Sequence, residues 1–294
     1  MVIEPGAGRG FLALDILDAL KFNYPECYKA VNYIMIENSP ESSGQAVRLL
    51  EEHRQKISPF RSIDSTVPQK CTGVIISNEF FDALPFHRLV FGAGDIMEIY
   101  VAHENNEFVE VTDRPSSLEI VDYISRVDSN FTEGQQIEVN LEAGNTLNKL
   151  AGLLDKGLIL TVDYGYLAEE LYSNHRMEGT YKCMYRHRVN SNPYQYIGEQ
   201  DITAHVDFSN LINTGSGSGL SVLKYTTQGQ FLLDWGILDI IENEPDARRR
   251  SAMKSLFLPE SMGDRFKALL QSKNFSTGAD FYPDSPFRIS FRIL

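Results

Sequence analysis

Residues 4–10 read EPGAGRG, preceded by the apolar pair Val2-Ile3 and followed at once by the periodic stretch GFLALDILDALKF. An acid, then glycines at 6, 8 and 10, then Phe11, Leu14, Leu17 and Leu20 at helical spacing predict a strand that turns sharply into a helix. Glycines adopt backbone angles closed to other residues and let a ligand lie against the main chain. The helix start just beyond offers free N–H groups to a carboxylate. The spacing is not the dinucleotide fingerprint, whose third glycine stands three residues after the second; that place is Phe11 here.

Outward from this turn, YIMIE (33–37) is a short apolar run ending in Glu37, and Ser39-Pro40-Glu41 reads as a helix cap, a proline at the first helical position and an acid in the first turn. A carboxylate at the end of the second strand can take both ribose hydroxyls of an adenosine ligand, and Glu4 can accept from an ammonium group or a water. Glu4, Gly6, Gly8, Gly10 and Glu37 therefore form the candidate cofactor site; the plain alternative is a tight turn and a strand cap. TGVIISNE (72–79) and GLILTVDYG (157–165) are further buried strands. Continuously apolar strands alternating with helices indicate an α/β fold with a mostly parallel sheet, helices on both faces.

FHRLVF (86–91) and IMEIYVAHENNEFVEVT (96–112) break the rhythm as antiparallel strands, the latter turning at Glu104-Asn105-Asn106. Residues 166–207 look loop-like, polar and aromatic, and TGSGSG (214–219) reads as a flexible connector. The expectation is a single domain over 1–294 with insertions at about 86–140 and 166–207. ARRRSAMKSLFL (247–258) reads as helix, while FKALLQ (266–271) and FRISFRI (287–293) compete to close the sheet.

The 294 residues carry a net charge of −13, which disfavours nucleic acid as the main partner, since phosphate neutralisation needs a basic surface. Three scattered cysteines form no zinc pattern and fit a reduced compartment. No apolar run reaches the roughly 18 residues needed to cross a bilayer, so no membrane insertion is expected.

The turn and Glu37 resemble the first motifs of class I S-adenosylmethionine (SAM) methyltransferases. The resemblance sharpens at SNEFFDALPFHRLV (77–90), DYG (163–165), GTYKCMYRHRVNSNPYQYIGEQDITAHVDF (179–208), TTQGQFLL (226–233) and MGDRFKALL (262–270), which are similar to the MidA family. The family includes a mitochondrial complex I assembly factor that methylates protein arginine. The resemblance implies SAM as cofactor, an arginine-bearing protein as substrate, and a link to respiratory complex assembly. It also implies Asn78 near the methionine part of SAM. A small-molecule methyltransferase and a SAM-binding assembly factor without turnover stay open, as does a homodimer. The expected location is cytoplasmic, or the mitochondrial matrix for a longer eukaryotic chain.

Methyl transfer to a nitrogen needs an in-line approach and removal of a proton. Carboxylates grip a guanidinium in bidentate fashion and can accept that proton. Glu79 and Asp82, just past a strand end, are the catalytic candidates; a helix cap and a turn are their plain readings. Asp163, Tyr164, Arg186 and His205 are candidates for substrate binding. Arg186, His187 and Arg188 stand out in an acidic chain, facing the cofactor carboxylate, an acidic partner or, as a solvated loop face, water alone. Asp201, His205 and Asp207 lack further ligands, so no metal is expected. Phe80 and Phe81 read as core. Family relatives carry a helical segment before the glycine motif, and the first strand here has few apolar residues. Met1 is accordingly expected to be internal to a longer protein, and the chain alone to bind SAM weakly.

Overall fold

The computed structural model describes residues 1–275 except 65–67, 69, 93, 128, 187 and 191. In chain order come β1 (Val2–Pro5), α1 (Phe11–Asn23), α2 (Pro25–Ala30), β2 (Tyr33–Ile36), α3 (Pro40–Leu49), β3 (Ile57–Phe60) and β4 (Cys71–Asn78). Then follow β5 (His87–Gly92), β6 (Asp95–Glu104), β7 (Glu107–Asp113), α4 (Leu118–Ser125), β8 (Gln136–Val139) and α5 (Leu141–Leu153). Next are β9 (Leu154–Tyr166), α6 (Ala168–Leu171), β10 (Lys182–Tyr185), β11 (Arg188–Asn190), β12 (Asp201–Thr203), β13 (Val206–Asp207) and α7 (Phe208–Gly217). The described chain finishes with β14 (Ser221–Thr227), α8 (Gln228–Asp234), α9 (Ile237–Asn243), α10 (Ala247–Phe257) and β15 (Phe266–Lys273). Among these residues no helix is long and apolar enough to cross a membrane.

The chain forms two compact units. The first takes Met1–Asn78, Leu150–Asp163 and the segment from Ser218 onward. Its sheet runs β14-β15-β9-β4-β1-β2-β3. β1 pairs in parallel with β2 and β4, β2 with β3, and β4 with β9. The order reverses at β1, which lies between β2 and β4; this is the switch point at which open α/β sheets bind ligands. All four β2 residues are buried, the pattern of a strand covered on both faces. Leu17 and Ala13 of α1 and Ala46 of α3 pack with Leu50 against Tyr33, Met35 and Ile57. Ser39 caps α3 by accepting from the Ser42 N–H, with Pro40 at the first position, as its residue types demand. Phe11 is an exception to the periodic set: its ring is exposed and lies under the Arg9 guanidinium. FKALLQ settles into the sheet as β15, antiparallel to β14; FRISFRI lies outside the described residues.

The second unit takes Glu79–Lys149 and Tyr164–Gly217, so both expected insertions fall within it. Its four-stranded antiparallel sheet runs β7-β6-β5-β8. The β6–β7 turn falls where the sequence puts it: Glu104 pairs with Glu107, and Asn105 and Asn106 take left-handed φ of 49° and 67°. α4 lays Ile120, Tyr123 and Ile124 on Leu89, Ile137 and Val139. Residues 166–207 are not a loop. They hold α6, a three-stranded sheet β11-β10-β12 and β13. Strands of two to four residues are too short to show a period. The connector expected at 214–219 is also overturned: α7 runs through Gly217, because Phe208, Leu211 and Gly215 bury one face and the Asp207 carboxylate accepts from Asn210 N–H at its start.

Gly10 takes φ 82°, and a Cβ there would stand 2.9 Å from that of Ala46. Gly10→Ala should therefore lower stability by about 2–5 kcal/mol, combining left-handed strain with overpacking. Gly10→Ala/Ala46→Gly should recover the crowding part alone. Denaturant unfolding of both variants checks this; a wild-type midpoint for Gly10→Ala contradicts it.

Candidate functional site

Four parallel strands of the first unit end at one edge of the sheet, and each brings a polar residue there. Glu4 lies in β1, Glu37 one step beyond β2, Asn78 at the end of β4 and Asp163 in β9, where Val162 is in register with Asn78. Between β1 and α1 the chain turns through Gly6 (φ 71°), Gly8 (φ 52°) and Gly10 (φ 82°). The Gly6 N–H donates to the Ile36 carbonyl at 2.8 Å. Glu37 then clamps the turn: Gly8 N–H donates to its Oε2 at 2.9 Å and Ser39 N–H to its Oε1 at 2.8 Å. A carboxylate offers about four lone-pair directions, so two remain for hydroxyl donors. A Cβ on Gly8 would find only the Gly6 carbonyl oxygen, at 4.0 Å, so the main chain there stands open to a ligand.

Glu4 is buried, and the Tyr33 hydroxyl donates to its Oε2 at 2.7 Å. Burial raises its pKa to about 7, against the opposing pull of the Tyr33 hydrogen bond. A cation against this carboxylate would favour the charged form. The residues at this edge thus fit an adenosine-containing cation: open backbone at Gly8, acceptor capacity at Glu37, an acid poised near neutrality at Glu4. Tyr33 was not anticipated as part of the site, although a tyrosine opening an otherwise aliphatic strand is a visible sign of a polar duty.

The second unit gathers the other candidates around two segments. Glu79, the first residue after β4, takes φ 48°, a left-handed angle that costs a non-glycine residue energy and concentrates at functional sites. Glu79 is exposed; Phe81 and Asp82 behind it are buried. Phe80 and Phe81 form an edge-on pair at 5.2 Å, and Phe81 belongs to the core. The Asp82 carbonyl accepts from the Ala204 N–H at 3.0 Å, tying this loop to the segment that carries His205. Burial and the neighbouring Glu79 and Asp201 charges raise the Asp82 pKa to about 6.

The His205 ring lies near two aromatic rings, with Tyr164 at 6.4 Å nearly parallel and Tyr166 at 5.5 Å. Its backbone N–H donates to Thr180 Oγ1, and Thr180 in turn donates both its N–H and its hydroxyl to the buried Glu138 carboxylate. Tyr164 does not sit in a strand-ending turn: β9 continues through Gly165, where a side chain would overlap the Val206 carbonyl of the paired β13. Asp207 accepts from the Tyr123 hydroxyl at 2.6 Å. Arg186 stands apart, at the β10–β11 turn with its guanidinium over the Tyr185 ring; His187 lies outside the described residues. Glu138, Thr180 and Tyr123 went unnoticed in the sequence, since nothing in their spacing marks them.

This geometry agrees with what comparison finds. Residues 1–226 match a family described as "Putative S-adenosyl-L-methionine-dependent methyltransferase". The chain is similar to protein arginine methyltransferase NDUFAF7, mitochondrial, of Danio rerio, at 27% identity over 90% of this chain and 67% of that protein. The Xenopus tropicalis protein of the same name is 29% identical over 90% and 66%. The chain thus spans about two thirds of these relatives. Among solved structures, an uncharacterized protein from Burkholderia thailandensis superposes with a TM-score of 0.86 at 28% identity, covering 97% of this chain and 76% of that one. Another from that organism, bound to S-adenosyl-homocysteine, gives 0.82 at 29%, covering 92% and 71%. With its family match, its sheet order and its glycine turn in agreement, the chain belongs to this family of SAM-dependent methyltransferases, and its fold is that of the class I enzymes.

Proposed function

We propose that this chain moves the methyl group of SAM to an arginine of a protein substrate. The observation that carries the reading is the acid pair after β4: Glu79 exposed on a strained backbone, and Asp82 buried behind it with its pKa raised to about 6. Two carboxylates suit a guanidinium, which presents its N–H groups as a planar fork. The names of the NDUFAF7 relatives support the same acceptor.

When bound, SAM supplies an electrophilic methyl group on a sulfonium. Glu37 would accept from the ribose hydroxyls, the 6–10 turn would lie along the ligand, and Glu4 would face its ammonium group. Asn78 would lie beside the methionine portion. Glu79 would hold the acceptor guanidinium and fix its orientation, while Asp82, titrating near neutrality, would take the proton that nitrogen must lose. Tyr164 and His205 would line the acceptor's approach.

Single-turnover transfer from radiolabelled SAM into a lysate tests the acceptor class. A labelled protein band that yields methylarginine on hydrolysis is expected, whereas a labelled metabolite would replace the reading with a small-molecule enzyme. On the true substrate Glu79→Gln should slow transfer about 10²-fold or more, with SAM affinity unchanged. An unaltered rate would remove Glu79 from the chemistry.

The cofactor half has its own test by calorimetric titration of SAM. Glu37→Ala should weaken binding by about 1–3 kcal/mol, and Gly8→Val should weaken it by filling the open face of the turn. Because the charged form of Glu4 favours a cation, affinity should rise about fivefold between pH 6 and 7, a range in which the ligand's amino group stays mostly protonated. Glu4→Gln should flatten that slope. A wild-type profile in Glu4→Gln would show that Glu4 faces no cation.

A further inference from the structure

The second unit also holds a cleft of about 590 Å³ lined by Tyr185, Arg186, Arg188, Val189, Gln195 and Tyr196. The Tyr185 and Tyr196 rings stack face to face, 3.9 Å apart and 4° from parallel. The Arg186 guanidinium sits 5.0 Å from the Tyr185 ring centre, and the β10–β11 register sets Arg188 opposite Tyr185. Arg186 takes φ 49° in a hairpin turn, a position natural sequences usually give to asparagine or glycine. Both arginines are exposed, and among the described residues no ion pair engages either of them. Apolar surface stands beside them: Val189 is 70% exposed and Ile197 63%.

In a chain of net charge −13, two exposed guanidinium groups, one of them over a tyrosine ring, form a local exception. Arginine forks match carboxylates bidentately, and stacked rings hold the adjoining stem in place. We infer that this hairpin cleft docks an acidic, partly apolar segment of a partner protein, its carboxylates on Arg186 and Arg188 and its apolar side chains on Val189, Ile197 and Tyr196. Charge complementarity selects this occupant: the net acidic surface disfavours a long polyanion, while a short acidic run that reaches the two arginines gains by binding. The inference stands apart from methyl transfer, since its test needs neither SAM nor an acceptor arginine.

The test is fluorescence anisotropy of a labelled dodecapeptide of glutamate, leucine and glycine, beside its glutamine-for-glutamate analogue. The full chain should bind the acidic peptide at least about tenfold more tightly at low ionic strength, with the difference shrinking as salt rises. Arg186→Glu/Arg188→Glu should abolish the preference, and the milder Arg186→Gln/Arg188→Gln should reduce it, with thermal midpoints near wild type because both sites are exposed. Arg248→Glu/Arg249→Glu, a reversal at the exposed basic run of α10, should retain it. Equal affinity for the two peptides, or undiminished preference in the 186/188 variants, overturns the inference. So does tighter binding of a thymidine oligonucleotide that the same variants lose, which would make the ligand a nucleic acid.

Discussion

The Glu37 carboxylate ties two pieces of backbone together just beyond the end of β2. Gly8 sits in a turn whose glycines allow many conformations, and Ser39 opens a helix whose first N–H groups lack partners within it. One side chain, at the end of one strand, fixes both. The Tyr33 hydroxyl on Glu4 makes a second tie between the same two strands at the same edge of the sheet. The open face of Gly8, and with it the room for a ligand, depends on these two acids being occupied by the protein in part and left accepting in part. A glycine turn without them would be a loop of many shapes.

The candidate residues divide between the two units. The glycine turn, Glu4, Glu37 and Asn78 belong to the first; Glu79, Asp82, Tyr164 and His205 belong to the second. The chain passes from one to the other between Asn78 and Glu79. In the second unit the supports are polar and buried. Glu138 holds Thr180, Thr180 holds the His205 backbone, and the Ala204 N–H reaches the Asp82 carbonyl. Such networks specify one arrangement because leaving any member unsatisfied is costly.

How much of this could be read from the chain alone follows the length of each signal. β1, β2, β4 and β9 are legible because a strand covered on both faces must be apolar throughout, and the Glu104–Glu107 hairpin because two adjacent asparagines tolerate left-handed angles. Glu37 stands out as an acid ending an apolar strand, but its clamp on the Gly8 and Ser39 backbone cannot be read from that position. Residues 166–207 resist reading, since strands of two to four residues carry no period and their pairing is non-local. Thr214–Gly217 misleads because glycine and serine propensities are weak beside the burial of Phe208 and Leu211 in the same helix. The hydroxyl and carboxylate links of Tyr33, Thr180 and Tyr123 span 25 to 84 residues in sequence, and no spacing rule reaches so far.

The left-handed backbone at Glu79 has a consequence for how this protein tolerates change. Glycine or asparagine would relax that angle, so the substitutions that best suit the local conformation are those that delete the carboxylate. Selection for heat resistance alone would drift toward them, and consensus-style stabilisation would count them as improvements. If Glu79 does carry the chemistry proposed for it, a glutamate at this position sets durability against activity, and a hardened variant of this fold would be worth checking there before anywhere else.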